Sequence, residues 1–215
     1  MVKSRMLKAS LDALVDLFCK DHIETLMHMH SCRAIMRLFC QQLKMSIDDC
    51  VVAEDAAFYH DVGKVFFRTL IHSERALTEA EYDVIKSHTC YGYKVLMECT
   101  NLSKDVVETA MYHHERWDGT GYYGLESVEI PRLSRIMAII DSYDSMRSIR
   151  NYRVQLDHAE SIRILNNPSK YDPELLSEFL QIPKDELDRI IEFYHNEEQM
   201  TRLIHDDKAN FLKVT

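Results

Sequence analysis

No proline precedes Pro131 in this chain of 215 residues, and the whole chain holds only five glycines. Both residue types interrupt helices, so a long stretch without them favours helix formation. Apolar residues also recur at three- and four-residue steps, which is the spacing of one helix face. The clearest run is Cys32, Ile35, Met36, Phe39 and Leu43. With no internal repeat and no convincing pair of strands, the sequence predicts an all-α fold.

Capping residues and apolar spacing predict where the helices lie. Asp48 and Asp49 are candidate N-terminal caps, Thr78 begins a capping-box pattern, and Ser103 is the candidate cap of the next helix. The predicted helices lie within 1–22, over about 22–44, 48–61 and 103–115, from 79 to the high 90s, and from Pro131 and Pro183 onward. We expect three parts: an N-terminal helix within 1–22 packed on the core, a catalytic domain over 23–180, and a helical extension of that domain over 181–215.

The chain is acidic, with a formal net charge of -9 and an isoelectric point near 5.6. Binding to polymeric nucleic acid depends on a basic surface, so we expect no such partner. No window approaches the roughly 18 apolar residues of a membrane span, and no apolar leader is visible. Six cysteines without a C-x-x-C pair are typical of reduced thiols. We therefore expect a cytoplasmic protein that does not bind membranes.

Imidazoles and carboxylates recur on or beside the predicted helices. The series is His60, Asp61, His88, His113, His114 and Asp141. Nitrogen and oxygen ligands without a nearby thiolate suit iron or manganese better than a cysteine-rich structural zinc site. Adjacent side chains on a helix point about 100° apart, so the two adjacent pairs can reach two metals or two sides of one. The alternative is a set of unrelated surface and core histidines.

Five sequence motifs contain or follow these residues. They are His60-Asp61-Val62-Gly63-Lys64, His113-His114-Glu115-Arg116-Trp117-Asp118-Gly119-Thr120-Gly121-Tyr122, Ile130-Pro131-Arg132-Leu133-Ser134-Arg135-Ile136, Asp141-Ser142-Tyr143-Asp144 and Arg150-Asn151-Tyr152-Arg153. In order and spacing they resemble the HD-GYP subfamily of the HD-domain metal-dependent phosphohydrolases, over residues 24 to 180. The resemblance implies a helical bundle that hydrolyses cyclic di-GMP with two or three divalent metal ions.

The resemblance also implies roles for individual residues. The implied metal ligands are His60, Asp61, His88, His113, His114 and Asp141, with Asp61 bridging two ions. Lys64 would hydrogen-bond the phosphate or assist the departing 3′ oxygen, and its alternative role is that of a solvated lysine. Arg150 and Arg153 would bind phosphate oxygens through their planar forks, or else complement a helix C-terminus. Tyr122 is the tyrosine of the family's loop.

A further metal ligand upstream has to be chosen between His28 and His30. The residues four, seven, eight and eleven positions after His28 are apolar, so His28 lies on the buried face of its helix. His28 also lies 32 residues before His60, as in the family. His30 stays the alternative, because His30-Ser31-Cys32-Arg33 imitates the family's H-S-x-R run. Glu24, one turn before His28, resembles the ligand of members with a third metal, or is a surface carboxylate in a first helical turn.

Two positions depart from the family pattern. Tyr123 stands where the family has the proline of Gly-Tyr-Pro, so the fixed φ of proline is lost. The segment that begins at Val65 lacks the family's Ile-Pro and is one residue shorter. We expect Tyr123 to change the shape of the loop and the fit of the substrate while metal binding stays intact, and the shorter segment to alter the rim of the pocket.

These features predict a metal-dependent phosphodiesterase that opens cyclic di-GMP to linear pGpG by means of a hydroxide between two metals, with further cleavage to GMP left open. One alternative is a weak or inactive module that binds a cyclic dinucleotide and signals through a partner protein or as a homodimer. Another is a phosphohydrolase for a different cyclic dinucleotide or nucleotide.

Overall fold

The computed structural model describes residues 10–13, 15, 23–71, 73, 75–99, 102–148 and 155–201. Ten α-helices and two short 3-10 helices lie between residues 23 and 194 of these ranges, and residues 10–13, 15 and 197–201 are also helical. The α-helices are α1 (Ile23–Gln42), α2 (Ile47–Tyr59), α3 (Arg68–Ile71), α4 (Glu79–Lys86), α5 (His88–Cys99), α6 (Lys104–Tyr112), α7 (Arg132–Arg147), α8 (His158–Leu165), α9 (Pro173–Phe179) and α10 (Lys184–Tyr194). The 3-10 helices are Val62–Phe67 and Ser127–Glu129. The described ranges contain no strand, and the predicted all-α fold class is confirmed.

The predicted helix caps are present, with one correction. Thr78 and Glu81 form the reciprocal capping box at the start of α4, and the Ser103 hydroxyl accepts a hydrogen bond from the Val106 amide at 3.4 Å. The cap of α2 is not Asp48 or Asp49. It is Ser46, whose hydroxyl accepts from the Asp49 amide at 3.1 Å. The two aspartates instead occupy the first turn, where carboxylates favour the helix dipole.

The predicted helix from 79 to the high 90s is two helices, divided at Ser87. The Ser87 hydroxyl donates to the Val84 carbonyl oxygen at 2.5 Å, and its amide donates to the same oxygen at 3.1 Å. A hydroxyl that competes for a backbone carbonyl in this way can end a helix. The break makes His88 the first residue of α5, and its ring is buried in the interior of the protein.

The core forms around α1, which packs against α2, α7 and α10. Its buried face carries the predicted apolar run, and Phe39 meets Phe179 of α9 edge-on, with ring centroids 5.3 Å apart. Among the residues upstream of α1, Leu11 and Val15 are buried in the same core, and Asp12 accepts a hydrogen bond from Tyr59. None of the described helices combines the length and the apolar character that a membrane span requires.

Candidate metal centre

His60 and Asp61 lie where the chain changes from α2 to the first 3-10 helix. Asp61 has φ -102° and ψ 9°, which ends the α-helical conformation and turns its side chain into the protein. Both side chains are almost completely buried. Parts of four other helices converge here: the second turn of α1, the start of α5, the C-terminal end of α6 and the middle of α7.

The Asp61 carboxylate is surrounded by four imidazoles, two on each oxygen. Its Oδ2 lies 3.3 Å from Nε2 of His60 and 3.5 Å from Nε2 of His28. Its Oδ1 lies 3.3 Å from Nε2 of His88 and 3.6 Å from Nε2 of His113. A carboxylate with ligands grouped on both oxygens has the layout of a bridge between two cations.

Asp141 is the second carboxylate of the cluster and also faces both groups of histidines. Its Oδ1 lies 3.3 Å from Nε2 of His28, and its Oδ2 lies 3.9 Å from Nδ1 of His114. The structure thus brings together the predicted residues of two groups. One group is His28 and His60, the other is His88, His113 and His114, and the two carboxylates lie between them.

In three of the histidines, a hydrogen bond from Nδ1 to a backbone carbonyl shows which ring nitrogen carries the proton. Nδ1 of His60 donates to the Ala57 carbonyl at 2.8 Å, and Nδ1 of His88 donates to the Ile85 carbonyl at 2.7 Å. Nδ1 of His113 lies 3.1 Å from the Thr109 carbonyl. Each Nε2 is therefore an unprotonated acceptor that faces the carboxylates.

Apart from the Lys64 ammonium, which donates to Asp61 Oδ2, the groups that face the centre of the cluster are acceptors, and such a centre favours a bound cation. The Nε2 atoms of His88 and His113 are 3.5 Å apart, those of His28 and His60 are 3.3 Å apart, and no described group donates a hydrogen bond to Asp61 Oδ1. Lone pairs and carboxylate oxygens repel one another in a buried site unless positive charge lies between them. The residues present therefore fit divalent metal ions.

Protonation states agree with a ligand set at most of the cluster. His28 differs: burial lowers its pKa, but Cys32 and the hydrogen bonds to Asp141, Asp144 and Asp61 outweigh this effect and raise that pKa well above its usual value. Burial lowers the pKa of His88, His113 and His114, which keeps these imidazoles neutral. Burial also raises the pKa of Asp61, but the charge of Lys64, together with the imidazoles around the carboxylate, outweighs this effect and holds that pKa well below its usual range. Neutral imidazole and ionised carboxylate are the forms that bind metals.

Cys32 lies beside the cluster, and its Sγ is within 4.8 Å of ligand atoms of His28 and His60. Its Sγ is 3.6 Å from Nδ1 of His28, one turn away on α1. Burial raises the pKa of the Cys32 thiol to about 12, so the thiol stays protonated.

The structure separates the two candidate histidines of α1. His28 is buried in the cluster, whereas the ring of His30 meets Phe58 edge-on at 5.1 Å and stacks on Tyr194 at 6.1 Å. Glu24 has an exposed side chain in the first turn of α1, and the short contacts of the cluster do not include it. A third metal at Glu24 stays a prediction.

Lys64 and Tyr122 lie at the edge of the cluster. The ammonium group of Lys64 donates to Asp61 Oδ2, and its side chain is partly exposed. The ring of Tyr122 lies over His114, with centroids 4.7 Å apart and an interplanar angle of 35°. Arg150 and Arg153, the predicted phosphate-binding residues, lie outside the described residues.

Sequence reasoning missed Glu115, which organises the loop that carries Tyr122. Its buried carboxylate accepts a hydrogen bond from the Tyr123 amide at 2.7 Å and another from the Leu125 amide at 2.8 Å. The Tyr123 hydroxyl also lies 2.7 Å from Oγ1 of Thr89. Tyr123 therefore replaces the fixed φ of proline with two hydrogen bonds that proline cannot make.

Replacement of Tyr123 by proline is expected to lower stability, even though it restores the family sequence. The Glu115 carboxylate would lose one amide donor, which destabilises by about 2–3 kcal/mol and lowers Tm by about 5–10 °C in a chain of this size. Differential scanning calorimetry measures the change, with metal stoichiometry expected to stay as in the wild type. Tyr123→Phe keeps the amide and should lose only about 1 kcal/mol. A proline variant that melts above the wild type would contradict this role of the amide.

Sequence reasoning also did not assign a role to Asp144 or to His195. Asp144 Oδ2 lies 2.5 Å from Nδ1 of His28, and its Oδ1 lies 2.9 Å from Nε2 of His195. A local signal exists for Asp144, which lies one turn after Asp141 on α7 and so shares its face. No local signal exists for His195, because it comes from the far end of the chain.

Fold and site together define a class of protein: helical domains in which histidines and carboxylates from several helices form a buried cluster that could hold a metal ion. Residues 2–175 match a family model described as HD domain. The chain therefore belongs to the HD domain family, and its assignment to the HD-GYP subfamily is confirmed.

Two curated relatives carry the same name. A Pseudomonas aeruginosa protein named cyclic di-GMP phosphodiesterase is 33% identical over 162 residues, which cover 73% of this chain and 39% of that protein. A Thermotoga maritima protein named cyclic di-GMP phosphodiesterase is 36% identical over 135 residues, which cover 60% of this chain and 37% of that protein. The chain thus spans less than half the length of these curated relatives.

A solved structure has the same fold. The HD domain of the L. monocytogenes phosphodiesterase PgpH, in complex with cyclic-di-AMP, aligns with a TM-score of 0.54 at 18% identity. The alignment covers 90% of this chain and 96% of that one. At this identity the likeness concerns the fold, which is that of a helical HD domain.

Proposed function

We propose that this protein is a metal-dependent phosphodiesterase that opens cyclic di-GMP to the linear dinucleotide pGpG. The observation that carries the proposal is the buried Asp61 carboxylate, with two imidazoles on each of its oxygens. The names of the curated relatives support the substrate class.

Each part of the site has a distinct task in this proposal. His28, His60, His88, His113 and His114, with Asp61 and Asp141, would hold the metal ions. Two divalent metals, when bound, lower the pKa of water to supply a nucleophile and neutralise charge on the phosphoryl oxygens. Arg150 and Arg153 would orient the substrate phosphates, and Tyr122 would contact the nucleotide beside His114. Iron or manganese is the proposed metal, with Glu24 as the ligand of a third ion if one is bound.

Lys64 is the proposed group for the phosphate or the departing 3′ oxygen, because its ammonium lies at the Asp61 carboxylate. Replacement of Lys64 by alanine is expected to lower kcat about 10²-fold, which is the usual scale for loss of one general acid or charge stabiliser. Metal stoichiometry should not change, since lysine is not among the metal ligands. Lys104→Ala removes an exposed lysine on α6 and serves as the control. Equal rates for both variants would contradict the assigned role.

The test of the function is turnover by anaerobically purified protein of measured metal content. We expect Mn(II) or Fe(II) to support formation of pGpG from cyclic di-GMP, and chelation to abolish it. Parallel assays with 3′3′-cGAMP, cyclic di-AMP and simple nucleotides measure the preference among substrates, and continued incubation shows whether pGpG proceeds to GMP. Stoichiometric metal without turnover of any cyclic dinucleotide would contradict hydrolysis and favour the binding module. Turnover of another substrate alone would favour the second alternative.

The remaining expectations stay proposals. A catalytic domain over 23–180 with a helical extension over 181–215 is the proposed organisation, and a homodimer or a signalling protein is the proposed partner. The described free thiols of Cys32, Cys40, Cys50 and Cys90 support a reducing compartment, hence a cytoplasmic location.

A further inference from the structure

The helix α10 lies beyond the segment that matches the HD domain family, since that match ends at residue 175. It nevertheless packs against α1, with Leu187 and Ile191 buried between them. Two polar residues, Asp188 within α10 and His195 at its C-terminal cap, reach the helix α7. They lie about two turns apart and therefore share one face.

The contact of His195 leads to the candidate metal centre through one carboxylate. Nε2 of His195 donates to Oδ1 of Asp144 at 2.9 Å, and Nδ1 of His28 donates to Oδ2 of the same residue at 2.5 Å. Ser148 also donates to Oδ2, at 3.3 Å. All three members of the chain from His195 to His28 are buried: the exposed fractions of their side chains are 8%, 0% and 7%.

We infer that His195 is a positioning residue for the metal centre, acting on His28 through Asp144; the inference rests on the proposed metal-binding role of His28. A metal-binding histidine needs a hydrogen bond at its outer nitrogen to fix its tautomer and ring orientation. Asp144 supplies that bond, and an imidazole donor on each of its oxygens fixes the plane of its carboxylate. Loss of the His195 donor leaves Asp144 Oδ1 buried without its partner and free to turn away from His28.

The contact of Asp188, the second polar contact of α10, allows the effect of the hydrogen-bond chain to be measured separately from the effect of helix packing. Asp188 Oδ1 pairs with the guanidinium of Arg147 at 2.8 Å, and Arg147 donates to the Tyr143 hydroxyl at 2.7 Å. Neither contact touches Asp144 or His28. Removal of the Asp188 charge therefore weakens the docking of α10 and keeps the hydrogen-bond chain intact.

The experiment measures metal binding of the full chain, independently of turnover. His195→Gln and His195→Met are a matched pair: the two side chains are similar in size, and only glutamine keeps an N–H donor for Asp144. Metal-depleted proteins are titrated with Mn(II), free Mn(II) is followed by electron paramagnetic resonance, and Tm is measured in parallel. We expect His195→Met to raise the Kd of one Mn(II) ion about 10-fold or more and to leave the Kd of the second ion unchanged. Loss of a residue that holds a metal ligand in place usually has an effect of this size. His195→Gln should recover most of that affinity, and Asp188→Asn should lower Tm with both Kd values unchanged.

Two results would overturn the inference: unchanged Kd values in His195→Met, or equal changes of Kd in His195→Met and Asp188→Asn. The second result would mean that α10 matters only through its packing. Failure of the proposed function has a different signature, in which the wild type binds Mn(II) but hydrolyses no cyclic dinucleotide.

Discussion

Replacement of Asp61 by asparagine is expected to remove at least one metal ion and to lower metal-dependent hydrolysis of cyclic di-GMP by at least about 10³-fold. Asparagine keeps the shape of the side chain but carries no charge. Its amide nitrogen would face either the imidazoles of His28 and His60 or those of His88 and His113. Because both groups depend on the same carboxylate, one substitution affects both.

Metal content by mass spectrometry and formation of pGpG by chromatography measure the two effects separately. Asp105→Asn, a replacement in the exposed first turn of α6, is the matched control and should behave as the wild type. We expect the fold of the Asp61 variant to persist, because the volume of the buried side chain hardly changes. An asparagine variant with full metal content and wild-type rate would disprove the central role of Asp61.

Replacement of Gly63 by alanine is expected to destabilise the protein by about 3 kcal/mol or more. A Cβ atom at this position would lie 1.9 Å from the His88 carbonyl oxygen and 2.5 Å from the Gly92 amide nitrogen. Both are backbone atoms of α5, so no side-chain rotation can relieve the overlap. The 3-10 helix and α5 would have to separate, which would carry His88 away from Asp61.

Tm and metal content should therefore fall together in this variant, with Tm lower by roughly 6–12 °C. Gly124→Ala is the control, because a Cβ there meets nothing within 4 Å and only the positive φ of 77° opposes it. That conformation is unfavourable for alanine by about 1 kcal/mol. If the Gly63 variant were as stable as the Gly124 variant, the 3-10 helix and α5 would not approach each other as closely as the structure shows.

The departure at Tyr123 shows how a loop can lose a rigid residue and stay ordered. Sequence reasoning compared only the φ of proline with that of tyrosine and expected an altered rim. The structure adds Glu115, a buried acceptor for the Tyr123 amide, and Thr89, a partner for the hydroxyl. Neither partner could be recognised from the sequence, because Glu115 lies 8 residues and Thr89 34 residues before Tyr123, and neither separation is a spacing that regular secondary structure brings together.

The break at Ser87 likewise could not be recognised from the sequence. The apolar spacing continues through this residue, so the pattern predicts one helix. In the structure, the Ser87 hydroxyl donates to the Val84 carbonyl oxygen, and the predicted helix is divided there into two helices. His88, the first residue of the second helix, is buried.

The sequence by itself determined the helical fold and two of the helix caps, and it indicated most of the residues that lie together in the candidate metal centre. Helices and caps depend on contacts between residues one turn apart, so the spacing of apolar and capping residues in the sequence predicts them. It also favoured His28 over His30, because the residues that follow His28 at helical spacing are apolar and therefore mark the buried face of the helix. Only the tertiary structure decided that Asp61 lies between two pairs of imidazoles, and that His195 meets Asp144. Those contacts join side chains far apart along the chain, and their partners are set by the packing of helices, which leaves no periodic trace in the sequence.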